Sequence, residues 1–148
     1  MTMNKNFLFT QIGYTYLPTA NIEGSSQWYE KYLGLKLIDK FDDRGSLIAI
    51  LHYPHKHSIA LVLVETTEHQ PLSILRNGSP YPVLTMNCPN IEDTYQKLKE
   101  QGAEVQELHF IADGEAKYFY FKDDQGNLLE AAWSKWDPVD EVKENFLI

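Results

Sequence analysis

Of 148 residues only Cys88 is a cysteine, so no disulfide can form within the chain. That usage agrees with a reducing compartment, and a cytoplasmic location is expected. Basic residues are also scarce, with 13 Lys and Arg against 21 Asp and Glu for a net charge of −8. Binding a phosphate backbone needs a basic stripe, and none is present, so no nucleic-acid partner is expected. No apolar run approaches the roughly 18 residues that cross a bilayer, and no membrane span is expected. The first residues, MTMNKNFLFTQIGYTYLP, lack signal-peptide architecture. Gly-x-Ser-x-Gly, phosphate-loop and dinucleotide fingerprints are missing as well. Cys88 has no base beside it in the sequence, which argues against a nucleophile.

Aromatic residues are plentiful at 13%, including nine Tyr and three Trp. Rings with polar tips suit a pocket for a small organic molecule, and they suit a core equally well. The length fits one domain, or two small modules fused into one.

An internal repeat favours the second form. Asn-Ile-Glu occurs at Asn21–Glu23 and again at Asn90–Glu92. Asn caps a helix because its side-chain oxygen accepts from free first-turn N–H groups, and Glu there complements the helix dipole. Ile22, Ser26, Tyr29 and Leu33 follow at helical spacing, as do Ile91, Tyr95 and Leu98. Gly34 and Gly102 mark the ends of these helices. Extended runs precede each helix, Ile12 to Leu17 and Pro82 to Asn87, and three strand-like runs follow each. These are Leu35 to Phe41, Ser46 to Tyr53 and Ser58 to Glu65, then Glu104 to Phe110, Ala116 to Lys122 and Asn127 to Trp133. Both halves therefore read βαβββ, at about 8–66 and 80–134, with a polar linker over 66–80 and an acidic tail over 135–148 that includes a possible short helix. A four-stranded sheet with one helix leaves a face uncovered, so two such units should pair as curved sheets around a cavity. The expected class is α+β, a single domain over 1–148.

Two segments, ANIEGSSQWYEKYLGLKL and YFYFKDDQGNLLEAAW, are similar to the vicinal oxygen chelate superfamily. That superfamily includes glyoxalase I, bleomycin- and fosfomycin-resistance proteins and extradiol dioxygenases. The resemblance covers residues 8–134, and in the turn Asp123-Asp124-Gln125-Gly126-Asn127 the family's proline is replaced by Asp124. It implies a divalent metal bound by His, Glu or Gln and a substrate chelated through neighbouring oxygens. Carried over by position, the last ligand is Glu130, but the others fall on Tyr14, on Val83 and near Ala60 or Leu61. One usual ligand survives, so no cofactor is expected, and Glu130 is a metal ligand only if a metal binds. Tyr120 and Glu130 take positions that face the substrate cavity in fosfomycin-resistance proteins.

The expected ligand-binding residues are Tyr14, Tyr16, His52, Tyr118, Tyr120 and Glu130, with Glu130 also the candidate catalytic base. Alternation places Tyr14 with Tyr16 and Tyr118 with Tyr120 on shared strand faces. Two functions compete: a bleomycin-resistance-like protein that binds a small organic molecule as a homodimer, and a lyase, isomerase, dioxygenase or antibiotic-modifying enzyme of the same superfamily. The stretch HYPHKH, His52 to His57, resembles a metal cluster, but Pro54 at its centre marks a turn. If that turn is solvated, replacing His55 and His57 by Ala should change unfolding free energy by no more than about 0.5 kcal/mol. Urea titration checks this, and a larger loss, or loss of a bound metal, contradicts it.

Overall fold

The computed structural model describes residues 8–54 and 58–137. His55, His57 and the expected tail helix lie outside the described residues. Helix α1, Ile22–Leu33, begins at an extended Asn21 (φ −146°) whose side chain accepts from the Gly24 N–H at 3.0 Å. It ends at Gly34, φ 74°, whose N–H reaches the Glu30 carbonyl at 3.2 Å. Helix α2, Ile91–Glu100, departs from the expected repeat at both ends. Asn90 makes no side-chain cap, because its backbone (φ −114°, ψ 58°) is not the extended form that aims the side chain at the first turn. The closing residue is Gln101, with the left-handed Gly102 one position beyond.

The strands of the first half are β1 Tyr14–Thr19, β2 Lys36–Asp43, β3 Ser46–His52 and β4 Ala60–Glu65, in the sheet order β1-β4-β3-β2. A hairpin follows, β5 Ile74–Arg76 and β6 Ser79–Tyr81. The second half supplies β7 Leu84–Asn87, β8 His109–Ile111, β9 Ala116–Lys122 and β10 Leu128–Ser134, ordered β7-β10-β9-β8. In each sheet the strand before the helix runs parallel to the last strand, and the remaining pairs are antiparallel. The fold is α+β with paired, curved mixed sheets.

Two sequence expectations change. The segment expected as a polar linker contains β5 and β6, joined by Asn77 (φ 52°) and Gly78 (φ 80°), the pair of left-handed residues a tight hairpin turn requires. The run Glu104 to Phe110 is mostly not strand: Val105 makes an isolated bridge to Phe121, and pairing resumes at His109.

Alternation sorts each sheet into two faces. Leu17, Ala49, Leu51, Leu61 and Leu63 meet Ile22 and Tyr29 of α1, while Phe119, Phe121, Leu129 and Ala131 meet Ile91 and Leu98 of α2, all in one hydrophobic cluster. Each large apolar side chain so buried contributes roughly 1.5–3 kcal/mol.

A polar knot joins the halves. The buried Asp123 carboxylate accepts from the Tyr29 hydroxyl at 2.6 Å and the Asn127 amide at 2.9 Å. The backbone N–H groups of Gln125 and Asn127 also donate to it, each at 2.9 Å. Asn127, fully buried, reaches the Pro18 carbonyl at 3.3 Å and accepts from the Leu72 N–H at 2.9 Å. Gly126 completes the turn at φ 82°, and a Cβ there would meet Pro71 side-chain atoms at 3.2 Å, so only glycine suits the position.

Burial pushes the Asp123 carboxyl above its ordinary range, and its hydrogen bonds act against that rise. Tyr29→Phe removes one donor from the charged form and should destabilise the fold by about 2 kcal/mol at neutral pH. Losing that donor raises the carboxyl's folded-state pKa further, so the deficit should shrink as Asp123 is protonated in acid. Urea unfolding of both proteins across acid and neutral pH measures it, and a deficit independent of pH contradicts the assignment.

Candidate functional site

On the helix-free face of the second sheet, Tyr120 stands directly across from Glu130, and Thr85 of β7 lies on Glu130's other side. The next row places Tyr118, Ala132 and Asn87 side by side, and the row after that Ile111, Ala116 and Ser134. Alanines among larger neighbours leave a dip in the sheet surface. The result is a cavity of about 210 Å³, lined by Asn87, Ile111, Tyr118, Glu130, Ala132 and Ser134 among others.

Glu130 is the distinctive group there. Its carboxylate has no hydrogen-bond or ion-pair partner among the described residues, and burial raises its pKa. Asp137, at the cavity edge, is already occupied by the Ser134 N–H at 2.8 Å and hydroxyl at 2.9 Å. The Tyr120 phenol is raised by burial first and by the Glu130 charge second. A carboxylate left without a donor in a partly desolvated dip is a receptor for one, whether from a ligand N–H, an O–H or a transferable proton.

The structure adds residues that sequence reasoning missed. Tyr81 of β6 packs edge-on against Tyr120 at 6.1 Å between ring centroids, and the Arg76 guanidinium lies 4.8 Å from the Tyr81 ring centroid. The row of rings continues from Tyr120 to Tyr118 at 5.5 Å, then to His109, stacked at 5.0 Å. The signal that could have found Arg76 and Tyr81 is the Asn77-Gly78 pair, a strong hairpin sequence inside an apparently polar linker.

The remaining expected residues lie elsewhere in the chain. Tyr14 and Tyr16 meet at 5.4 Å in a T-shaped contact on the first sheet, 54% and 52% exposed. His52 is half-buried at the end of β3, across from Lys36. None of the three lines the cavity beside Glu130. A larger groove of about 750 Å³ lies between the halves, lined mainly by apolar side chains such as Leu61, Leu84, Met86, Leu98 and Phe121. It also holds Cys88, whose thiol burial pushes up. Among the described residues that line it, none has an ionised side chain to orient a polar ligand.

The donor set does not fit a divalent metal. Apart from Glu130, the inherited ligand positions hold a phenol, Tyr14, and the hydrocarbon side chains of Val83, Ala60 and Leu61. No group of three His, Cys, Asp or Glu suited to a metal occurs among the described residues. No helix among them is long and apolar enough to cross a membrane.

The profile of the Glyoxalase/Bleomycin resistance protein/Dioxygenase superfamily matches residues 11–131. No curated protein sequence matches. Among solved structures, an antibiotic binding protein from Streptomyces sp. CB03234 superposes with a TM-score of 0.70 at 17% identity, covering 88% of this chain and all of its own (100%). A genomically encoded fosfomycin resistance protein from Listeria monocytogenes gives 0.66 at 11% identity, covering 94% and 99% of the two chains. A lactoylglutathione lyase from Agrobacterium tumefaciens gives 0.60 at 13%, covering 86% and 96%. At such identities these likenesses establish the shared fold. With its capped first helix, its Asp123–Asn127 turn and the profile match spanning both sheets, this chain belongs to the glyoxalase/bleomycin resistance protein/dioxygenase superfamily.

Proposed function

We propose that the protein binds a small organic molecule on the Glu130 face of its second sheet, without a metal, and works as a homodimer. The observation that carries this reading is the unpartnered Glu130 carboxylate at the floor of an alanine-lined dip. Glu130 would accept a donor from the ligand, with Tyr118 and Tyr120 forming one wall. The similarity to an antibiotic binding protein supports a binding role without naming a ligand. The core cluster that includes residues of both halves supports one domain rather than two.

What the single chain leaves open supports the homodimer. A cavity of about 210 Å³ is smaller than the roughly 300 Å³ at which ligand pockets usually begin. Meanwhile the first sheet exposes Tyr14, Tyr16 and Phe41. Laid over a partner's second sheet, that surface would deepen the cavity, bring Tyr14, Tyr16 and His52 to its rim and cover apolar area. The same carboxylate would serve as a proton acceptor in an enzyme, and a loss of turnover with unchanged affinity in Glu130→Gln would favour that second reading.

Compounds that raise the melting temperature in a screen of small polar organic molecules should bind Glu130→Gln at least about tenfold more weakly, near 1.4 kcal/mol. Because burial raises the folded-state pKa of Glu130, the stability linked to it is present in acid and lost as pH rises through that pKa. Glu130→Gln should therefore melt above the parent at neutral pH, with the difference vanishing below the unfolded value of about 4.3. Unchanged affinity with a lower melting temperature would make Glu130 a structural residue. Sedimentation equilibrium at micromolar concentration should give the mass of two chains, and a monomer at millimolar concentration rules out the dimer.

A further inference from the structure

The hairpin β5–β6 carries a charge that the fold leaves free. Lys117, Lys122 and Lys135, on or just beyond the second sheet, each lie within ion-pair distance of a carboxylate: Glu92, Glu104 and Glu115 in turn. Arg76 has no carboxylate partner among the described residues. Lys31, Lys36, Lys40 and Lys99 also lack an ion pair among the described residues, but they sit on α1, β2 and α2, whereas Arg76 stands beside the tyrosines of the second sheet. Its position is fixed from both ends. Leu72, two residues before β5, is tied to Asn127 by its N–H at 2.9 Å and to the Leu128 N–H by its carbonyl, also at 2.9 Å. The Asn77-Gly78 turn then sets the register that pairs Arg76 with Ser79 and Ile74 with Tyr81.

Stacking on Tyr81 steadies the flat face of the guanidinium and leaves its in-plane N–H groups available. Such a fork binds a carboxylate, sulfonate or phosphate in two-point fashion. Glu130, also without a partner, lies across from Tyr120, and Tyr120 touches Tyr81. Two free charges of opposite sign are thus separated by a tyrosine pair, with further rings, Tyr118 and His109, extending along the sheet. The two groups form no ion pair with each other.

Resting on the reading of this face as a small-molecule site, we propose that its ligand is an elongated aromatic anion. Arg76 binds the acidic group, the rings of Tyr81, Tyr120 and Tyr118 pack against the aromatic body, and Glu130 accepts from a donor at the other end. The polarity follows from the partners: an acidic group placed at Glu130 would meet like charge, Lys117 in the same cavity is already paired with Glu92, and a donor placed at Arg76 would find no acceptor. Arg76 is therefore a specificity residue for the acidic end, contributed by a hairpin that belongs to neither four-stranded sheet.

The test uses two fluorescent probes that differ by a single acidic group, the 2,6 isomer of anilinonaphthalene sulfonate, whose sulfonate and N–H lie at opposite ends of the naphthalene, and its uncharged parent N-phenyl-2-naphthylamine. Both carry fused rings and one N–H donor. Anilinonaphthalene sulfonate should bind the parent protein at least about tenfold more tightly than the neutral probe. In Arg76→Gln, whose side chain lies on an exposed hairpin and whose melting temperature should hold, the anionic probe should lose at least about tenfold while the neutral one changes by no more than about twofold. Ala132→Leu, which fills the dip, should weaken both probes. Equal effects of Arg76→Gln on the two probes would overturn the anion assignment and leave the cavity reading intact. If Ala132→Leu and Glu130→Gln change neither probe's binding, the cavity reading falls, and the inference falls with it.

Discussion

Four donors converge on the Asp123 carboxylate, and the rest of the arrangement hangs from that group. Two come from its own turn, one from the Asn127 side chain and one from Tyr29 of the opposite half. A buried carboxylate is tolerable only when its lone pairs are met, and here they are met by groups the fold must bring together. Around it, Ser25 donates to Asp124 at 2.6 Å and the Ala20 N–H to Gln125 at 2.9 Å, so the start of α1 is seated on the β9–β10 turn. The hydrophobic cluster supplies most of the stabilisation but is indifferent to small slips. The directional knot sets how α1 meets the second half.

The knot also reaches the ligand face. Asn127 holds Leu72, Leu72 leads into β5, and β5 and β6 carry Arg76 and Tyr81 to Tyr120. The opposite end of the same link is β10, which begins at Leu128 and presents Glu130 on the free face two residues later. Asp123 and Glu130 show what environment does to one functional group. Both are raised by burial, but Asp123 is surrounded by donors and Glu130 by none among the described residues. The first is thereby a structural anchor. The second remains available for a ligand.

The apolar groove between the halves and the dip at Ala132 differ in the same way. The groove is larger but its described lining is mainly apolar and holds no ionised group, and such a surface discriminates poorly among polar molecules. The dip is smaller, open on one side, and flanked by a carboxylate and tyrosines. Chemistry rather than volume makes it the better candidate.

The sequence by itself determined both helices, the order of strands in each half, the Asn21 cap, the Gly34 stop and the superfamily, because these follow from local periodicity, capping and a turn motif. Alternation along β9 also put Tyr118 and Tyr120 on one face, while Glu130 was placed beside them by the family resemblance and the register across the hairpin bears this out. The sequence failed at Asn90, where the backbone angles, not the residue type, decide whether a cap forms. Only the tertiary structure decided that Tyr29 meets Asp123, a contact between residues 94 positions apart, and that Arg76 comes beside the tyrosine row. It also separated Tyr14 and Tyr16 from Glu130 by placing them on different sheets of the chain. The physical reason is common to all three. Pattern along a chain fixes which face a side chain takes, whereas which faces meet depends on how distant segments satisfy one another's buried polar groups and apolar area.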